Sequence, residues 1–572
     1  MAGLVPSTVD NQTLDPEKFK DLPLPRQVDL ILHRPPKERL RLLFLSEHPK
    51  ALVQSLPELD LFLTVKTLED RDAVDLVSLT TAQQFQYILD LDLWKKDQLD
   101  SEKTSHWIGI LLECGEERVL RFILETDRET IAQMLKKLLF VIKIEGELTE
   151  QMDRATLFTL DQEYWVAFKK PETRPVLQRF LEYLYLADPM GYPMLLESLI
   201  SEITSELEED AYRLRKGRMA DHGFPDFEEA LEIYRFVNPD SLKPSHGEKS
   251  ALPPQEGSVP PSSLTLAFGG EGPFFSLVLS QVEDPSQRGR LGQQIATLYN
   301  KSIIADPVEE FSLDEMKRVG GRVFHTLNLG LEYASQEDGL RGLEILRSTP
   351  LEKIFQAGVG VTILLKRKAE SILKGPWFQG NRENLLFLDP PHREWFEGVL
   401  RRRPVLCREG VEEDFKSLLD FEETDRFLGR VEAWVSFMEE KVKILPHQIK
   451  SLDLGSSHPS TWREITLSTL FLTSLAHQIL EGQFLFRAVD QSRLKEFISR
   501  IFERDEHGKG VVKMEIKNGL NEWFVSIESD REKRLHFMAF RDFCCDLLEG
   551  EYGKIPEGEE IDPRFVRGLL VK

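Results

Sequence analysis

Between Pro25 and Trp94 apolar residues recur at three- and four-residue spacings, and the pattern is cut at short intervals by proline or by a polar break. That spacing is the signature of amphipathic helices. Pro35, Pro36, Pro49 and Pro57 read as starts of successive short helices, because proline is tolerated in the first turn and damaging in the interior. Ser46 and Ser55 stand just ahead of two of these prolines, where a hydroxyl can help cap the helix. The stretch 68–94, LEDRDAVDLVSLTTAQQFQYILDLDLW, reads as two short helices with a capped break. Thr80 with Gln83 fits a capping box. The helix that follows, about 81–90, places Phe85, Ile88 and Leu89 on one face. LDLDLW alternates apolar and acidic residues, which predicts a turn burying Leu91 and Leu93 and exposing Asp90 and Asp92. Units this short bury no complete apolar face alone, so they must stack on their neighbours.

The same period continues along the chain. The expected fold class is mainly α: stacked short helices (helical-repeat, superhelical) at the N-terminus, followed by further helical domains. The expected divisions are an extended arm over 1–24, a helical-repeat domain over 25–145 and a second helical region packed on it over 146–238. A Pro-rich linker follows over 239–263; the surrounding stretch 238–263 holds six prolines. Next come a helical region over 264–380, a C-terminal helical region over 381–548 and an acidic tail over 549–572. LTLAFGGEGPFFSLVLSQV, within 264–380, fits short strands or a helix equally. DPMGYP and ADHGFPD are Gly/Pro turns between long helices, and Asp226 can cap the helix after the second.

Composition narrows the picture. A chain of 572 residues is too long for one hydrophobic core. Acidic residues outnumber basic ones 97 to 73, a formal charge of −24. A nucleic-acid partner is not expected, since it would ask for a basic surface. The one tight basic cluster, Arg401, Arg402 and Arg403, reads as a solvated helix end. Cys114, Cys407, Cys544 and Cys545 make no disulfide framework and read as reduced, buried thiols. The longest uncharged run, 465–480, is too short for a bilayer and predicts a buried helix. With no basic, apolar leader at the N-terminus, the expected location is cytoplasmic, without membrane insertion.

Catalytic and metal signatures are sparse. No GxxxxGK[ST], GxSxG, CxxC or HExxH occurs. DEHGKGVVKME has a glycine where a calcium loop needs one, but His507 and Lys509 stand at ligand places. No catalytic residue, cofactor or metal ligand is assigned. Two constellations carry candidate binding residues. One is Asp90, Asp92 and Trp94, an acidic and aromatic patch suited to a partner or a divalent cation. The other is Arg218, Asp221 and His222, with Asp226, around the turn in GRMADHGFPD, where four ionisable groups fit a pocket wall.

DAVDLVSLTTAQQFQYILDLDLW, with the preceding LPELDLFLTVKTLED, resembles the helical repeats of the cytosolic N domain of MgtE-type magnesium transporters, over roughly 28–145. The whole chain resembles an uncharacterised family of bacterial proteins with such an N-terminal region. The chain carries no regulatory domain or transmembrane bundle of the transporter kind, so the resemblance implies no magnesium transport. The leading functional expectation is a non-catalytic protein-interaction or regulatory scaffold with an unidentified protein partner. The alternatives are an enzyme whose site is assembled near 218–226, and a divalent-cation-responsive regulatory protein.

Overall fold

A computed structural model describes residues 19–32, 34, 36–95, 98–144, 157–201, 204–242, 271–306, 313–408, 410–506, 508–555 and 566–572. Most of the expected arm, nearly all of the expected linker, part of the tail, and His507 lie outside these residues. The described chain is mainly α-helical, with four two-stranded antiparallel ribbons. It forms two compact units. The first takes the described parts of Met1–Arg235, Pro244–Phe324 and Gly339–Phe355, and the second those of Phe236–Lys243, His325–Asp338 and Gln356–Lys572.

The first unit opens with α1 (Leu24–Leu32), α2 (Pro36–Leu45), α3 (Pro49–Gln54), α4 (Glu58–Val65), α5 (Asp70–Ser78), α6 (Ala82–Asp92), α7 (Ser101–Glu113), α8 (Glu116–Glu125) and α9 (Arg128–Leu138). The prolines act as the pattern predicts: Pro49 opens α3 and Pro57 is the N-cap of α4. Ser46 helps at the start of α3, accepting from the N–H of its N-cap residue His48 at 3.3 Å while donating to Gln27 Oε1 at 2.8 Å; Ser55 does not cap and donates to the Ala51 carbonyl. The apolar faces meet in one core, where Phe85 stands edge-on to both Trp107 and Phe122. A buried ion pair, Arg39 to Asp60 at 2.9 Å, ties α2 to α4. Ribbon strands β1 (Trp94–Lys95) and β2 (Gln98–Leu99) join α6 to α7. Strands β3 (Leu139–Lys143) and β4 (Tyr164–Phe168) pair antiparallel, Leu139 opposite Phe168. Helices α10 (Arg174–Ala187), α11 (Gly191–Ser201) and α12 (Thr204–Asp221) follow. Further on, Pro273–Ser280 is helical, which settles that part of the strand-or-helix ambiguity; 264–270 lie outside the described residues.

Helices α13 (Leu313–Ser335) and α14 (Leu351–Lys374) contribute to both units. Within the second unit a Cβ on Gly358 would stand 2.1 Å from the Thr326 carbonyl oxygen, and one on Gly360 would stand 2.2 Å from that of Val237. Only hydrogen at these positions permits so close an approach. Gly360→Ala is therefore expected to lower stability by about 1–3 kcal/mol through overpacking, read as a reduced urea midpoint. The core is aromatic. Phe437, on α15 (Leu418–Phe437), meets Phe471, Phe524 and Phe537. The uncharged run becomes α16 (Leu467–Glu481), buried on nearly every face, as expected of a core helix. The last residues dock against it: Leu569, Leu570 and Val571 are buried, and Leu570 N donates to Thr473 Oγ1 at 2.9 Å. No helix among the described residues is long and apolar enough to cross a membrane.

Candidate functional site

The capping box that starts α6 lies one residue later than the pattern suggested. Thr81 is the N-cap: its hydroxyl accepts from Gln84 N, and Gln84 Oε1 accepts from Thr81 N, both at 3.0 Å. Gln84 is preferred over Gln83 because it faces inward, where its amide also donates to the Val53 and Leu56 carbonyls. Thr80 takes another role, accepting from Arg118 Nη2 at 2.9 Å.

The predicted turn at LDLDLW is a correction. The helix runs on through Asp92, and both carboxylates are buried, Asp90 at 2% and Asp92 at 3% exposure. An unpaired buried carboxylate is costly, so each must be neutralised by partners. Asp90 receives two parallel hydrogen bonds from Arg218, Nε at 2.7 Å and Nη2 at 2.8 Å, with a third from Gln86 Nε2 at 3.1 Å. The other terminal nitrogen of Arg218 reaches Asp127, which stands at the N-cap of α9 but makes no side-chain cap bond. Burial alone would lower the Arg218 guanidinium; bonding to Asp90, and then the Asp127 charge, raise it. One turn earlier on α12, Arg215 donates to the Asp90 carbonyl at 2.7 Å and lies over the Trp94 ring at 5.1 Å.

Asp92 sits two residues on, and its side chain takes a different set of partners. Its Oδ1 accepts from Lys66 Nζ at 3.0 Å and Lys103 Nζ at 3.2 Å, and its Oδ2 from Trp107 Nε1 at 2.8 Å. Burial by itself would raise the Asp92 carboxyl; the Lys66 charge, the Trp107 N–H and Lys103 outweigh it and hold it below the usual carboxylate range. These groups help line a cleft of about 340 Å³, whose other lining is part apolar, as at Leu68 and Ile110, and part polar, as at Asp70, Glu102 and His106.

The structure thus joins Asp90 directly to Arg218, and connects Trp94 to the same helix through Arg215. Asp221, His222 and Asp226 do not enter this network. Asp221 is exposed at the end of α12, and the half-buried His222 turns its ring edge-on to Tyr87, centroids 4.7 Å apart. Asp226 stands at an N-cap without a side-chain cap bond and pairs with Lys216 at 2.7 Å. Arg215, Lys66, Lys103 and Trp107 escaped the sequence reading. Arg215 offered a weak signal, three residues from Arg218 on one helix face; the lysines offered none.

None of the four cysteines is disulfide-bonded. Burial pushes the Cys114 and Cys545 thiols up to about 11, which leaves them poor nucleophiles near neutral pH. Among the described residues no group of three or more His, Cys, Asp or Glu side chains converges to hold a metal ion.

These observations define a mainly α-helical protein whose candidate site is a set of buried ion pairs between α6 and its neighbours. More particularly, the chain belongs to a family of unknown function (DUF6178), whose model matches residues 16–572. No curated protein and no solved structure is detectably similar to it.

Proposed function

We propose that this protein is a non-catalytic, cytoplasmic interaction scaffold. The observation that carries the proposal is an exposed apolar ridge at the junction of α10 and α11. Leu186 is 58% exposed, Met190 82% and Met194 63%, with Tyr185 beside them. Large apolar side chains left exposed so near one another in sequence support an interaction surface. Methionine suits one that must adapt to its partner, because its side chain is unbranched and polarisable. The occupant we favour is an amphipathic helix of a second protein, laid with its apolar face on the ridge. The run of short helices from α1 to α9 fits this reading, because stacked short helices make extended surfaces. Asp90 and Asp92 fit a structural role within such a scaffold better than a divalent-cation site, since protein cations already occupy both.

The double variant Met190→Glu/Met194→Glu is expected to lose a partner that co-purifies stoichiometrically with the wild-type chain at moderate salt. Its circular dichroism and melting temperature should be unchanged, as for most surface substitutions. If the wild-type chain brings down no stoichiometric partner, or if the variant retains it, the scaffold reading is wrong.

A further inference from the structure

Two of the side chains offered for docking carry a reactive sulfur. Met190 immediately precedes α11 and Met194 lies in its first turn; both are exposed, whereas Tyr192, Leu195, Leu196 and Leu199 of the same helix are buried. The junction that presents them is pinned. Asp188 Oδ1 accepts from Gly191 N at 2.8 Å, Arg128 donates to the Gly191 carbonyl, and Tyr192 stands edge-on to Tyr185 with centroids 5.4 Å apart. Most other sulfur in the described chain is shielded. Met134, Met219, Met316 and Met438 are buried and Met538 is half-buried. Met514, in the second unit, is the other exposed methionine among the described residues. Thiolates ordinarily react with peroxides ahead of thioethers, and susceptibility follows thiolate character and exposure. Here three of the four cysteines are buried, and burial raises all four thiols above their usual value. An oxidant arriving from solvent therefore meets Met190 and Met194 before most other sulfur.

We propose that Met190 and Met194 form a reversible oxidation site, and that their conversion to sulfoxide releases the amphipathic helix docked on them. This regulation rests on the scaffold reading, whose surface it uses. The oxidant is a hydroperoxide. The sulfur lone pair attacks one oxygen, the O–O bond breaks and an S–O bond forms. The second oxygen takes the proton and leaves as water or an alcohol. Sulfur is oxidised by two electrons and the peroxide is reduced by the same two. Methionine sulfoxide reductase returns the thioether with two thiols, which become a disulfide while the oxygen leaves as water. The sulfoxide turns a flexible apolar side chain into a polar one, which disfavours its burial under an apolar helix face.

The test treats the purified full-length chain with hydrogen peroxide and maps oxygen gain by peptide mass spectrometry. Met190 and Met194 are expected to oxidise well before Met134 and Met438. The docking probe is a fluorescently labelled, net-neutral amphipathic helix of leucine, glutamate and lysine, followed by anisotropy. It should bind the untreated wild type saturably. Its affinity should fall about tenfold or more once both methionines are oxidised, since each loses the burial of an apolar side chain. Methionine sulfoxide reductase should restore it. Met190→Leu/Met194→Leu keeps an apolar surface without sulfur, and should bind the probe equally before and after peroxide. Oxidation of Met134 or Met438 as early as Met190, undiminished probe binding after full oxidation of both sites, or an equal loss in the leucine variant would each overturn the regulation and leave the scaffold reading standing. An untreated wild type that does not bind the probe would instead overturn the docking surface itself, and the regulation with it.

Discussion

Arg218→Ala is expected to lower the stability of the N-terminal unit by about 3 kcal/mol. Breaking a buried ion pair costs about 3–5 kcal/mol, because the partner left behind is an uncompensated buried charge. That partner is Asp90, at 2% exposure. The low end of the range applies because Gln86 still donates to Asp90 and because Arg218 is itself partly exposed. Asp127 adds little to the loss, since its side chain is 42% exposed and can return to water. The measurement is the urea midpoint of the transition that includes the N-terminal helices, paired with hydrogen exchange at α6 amides, which should lose protection locally. A second substitution separates charge from packing. Asp90→Leu in the Arg218→Met background removes both charges at similar volume, and it should recover most of the loss. If Arg218→Ala leaves both midpoint and protection at wild-type values, the Asp90–Arg218 clamp does not hold α6 to α12.

Asp92→Asn is expected to cost about 2 kcal/mol at neutral pH. The amide keeps an acceptor for Trp107 but removes the charged acceptor that Lys66 and Lys103 share, and charged hydrogen bonds are worth about 1.5–3 kcal/mol each. The partial exposure of both lysines limits the penalty. The pH dependence has a definite sign. The folded-state carboxyl is held below its unfolded value of about 3.9. Its contribution is therefore fully present above about pH 4 and is lost as pH falls through the lowered folded value. The gap in urea midpoint between wild type and Asp92→Asn should be constant from neutral pH down to about pH 5 and should narrow below about pH 4. A gap that widened in acid would mean that Asp92 is held above its ordinary value, and the two-lysine setting of Asp92 would have to be abandoned.

Much of the architecture could be read from the chain. The proline punctuation at Pro36, Pro49 and Pro57 located helix starts correctly, because the missing N–H of proline is harmless at a helix start. The uncharged run at 465–480 predicted a core helix, and α16 is one. The expected cap at Ser55 failed for a different reason. A hydroxyl near a helix start has several backbone and side-chain partners within reach, and Ser55 took the Ala51 carbonyl, whereas Ser46 does accept from His48 N at the start of α3. The capping box slipped by one residue because Thr80-Thr81 and Gln83-Gln84 offer two registers. The choice between them fell to the Val53 and Leu56 carbonyls, which Gln84 satisfies.

The candidate residues show the same division. Periodicity placed Asp90 and Asp92 correctly near a helix end, and their charge argued for exposure, since isolated carboxylates belong in water. That argument failed because Arg215 and Arg218 arrive from α12, more than a hundred residues later, and Lys66, Lys103 and Trp107 from the helices on either side. Sequence alone therefore determined which segments are helical and where many of them begin, since those choices rest on contacts within a few residues. Which face of α6 is buried, and what neutralises it, was decided only by the tertiary structure, because an ion pair is fixed by distance in space and carries no mark along the chain.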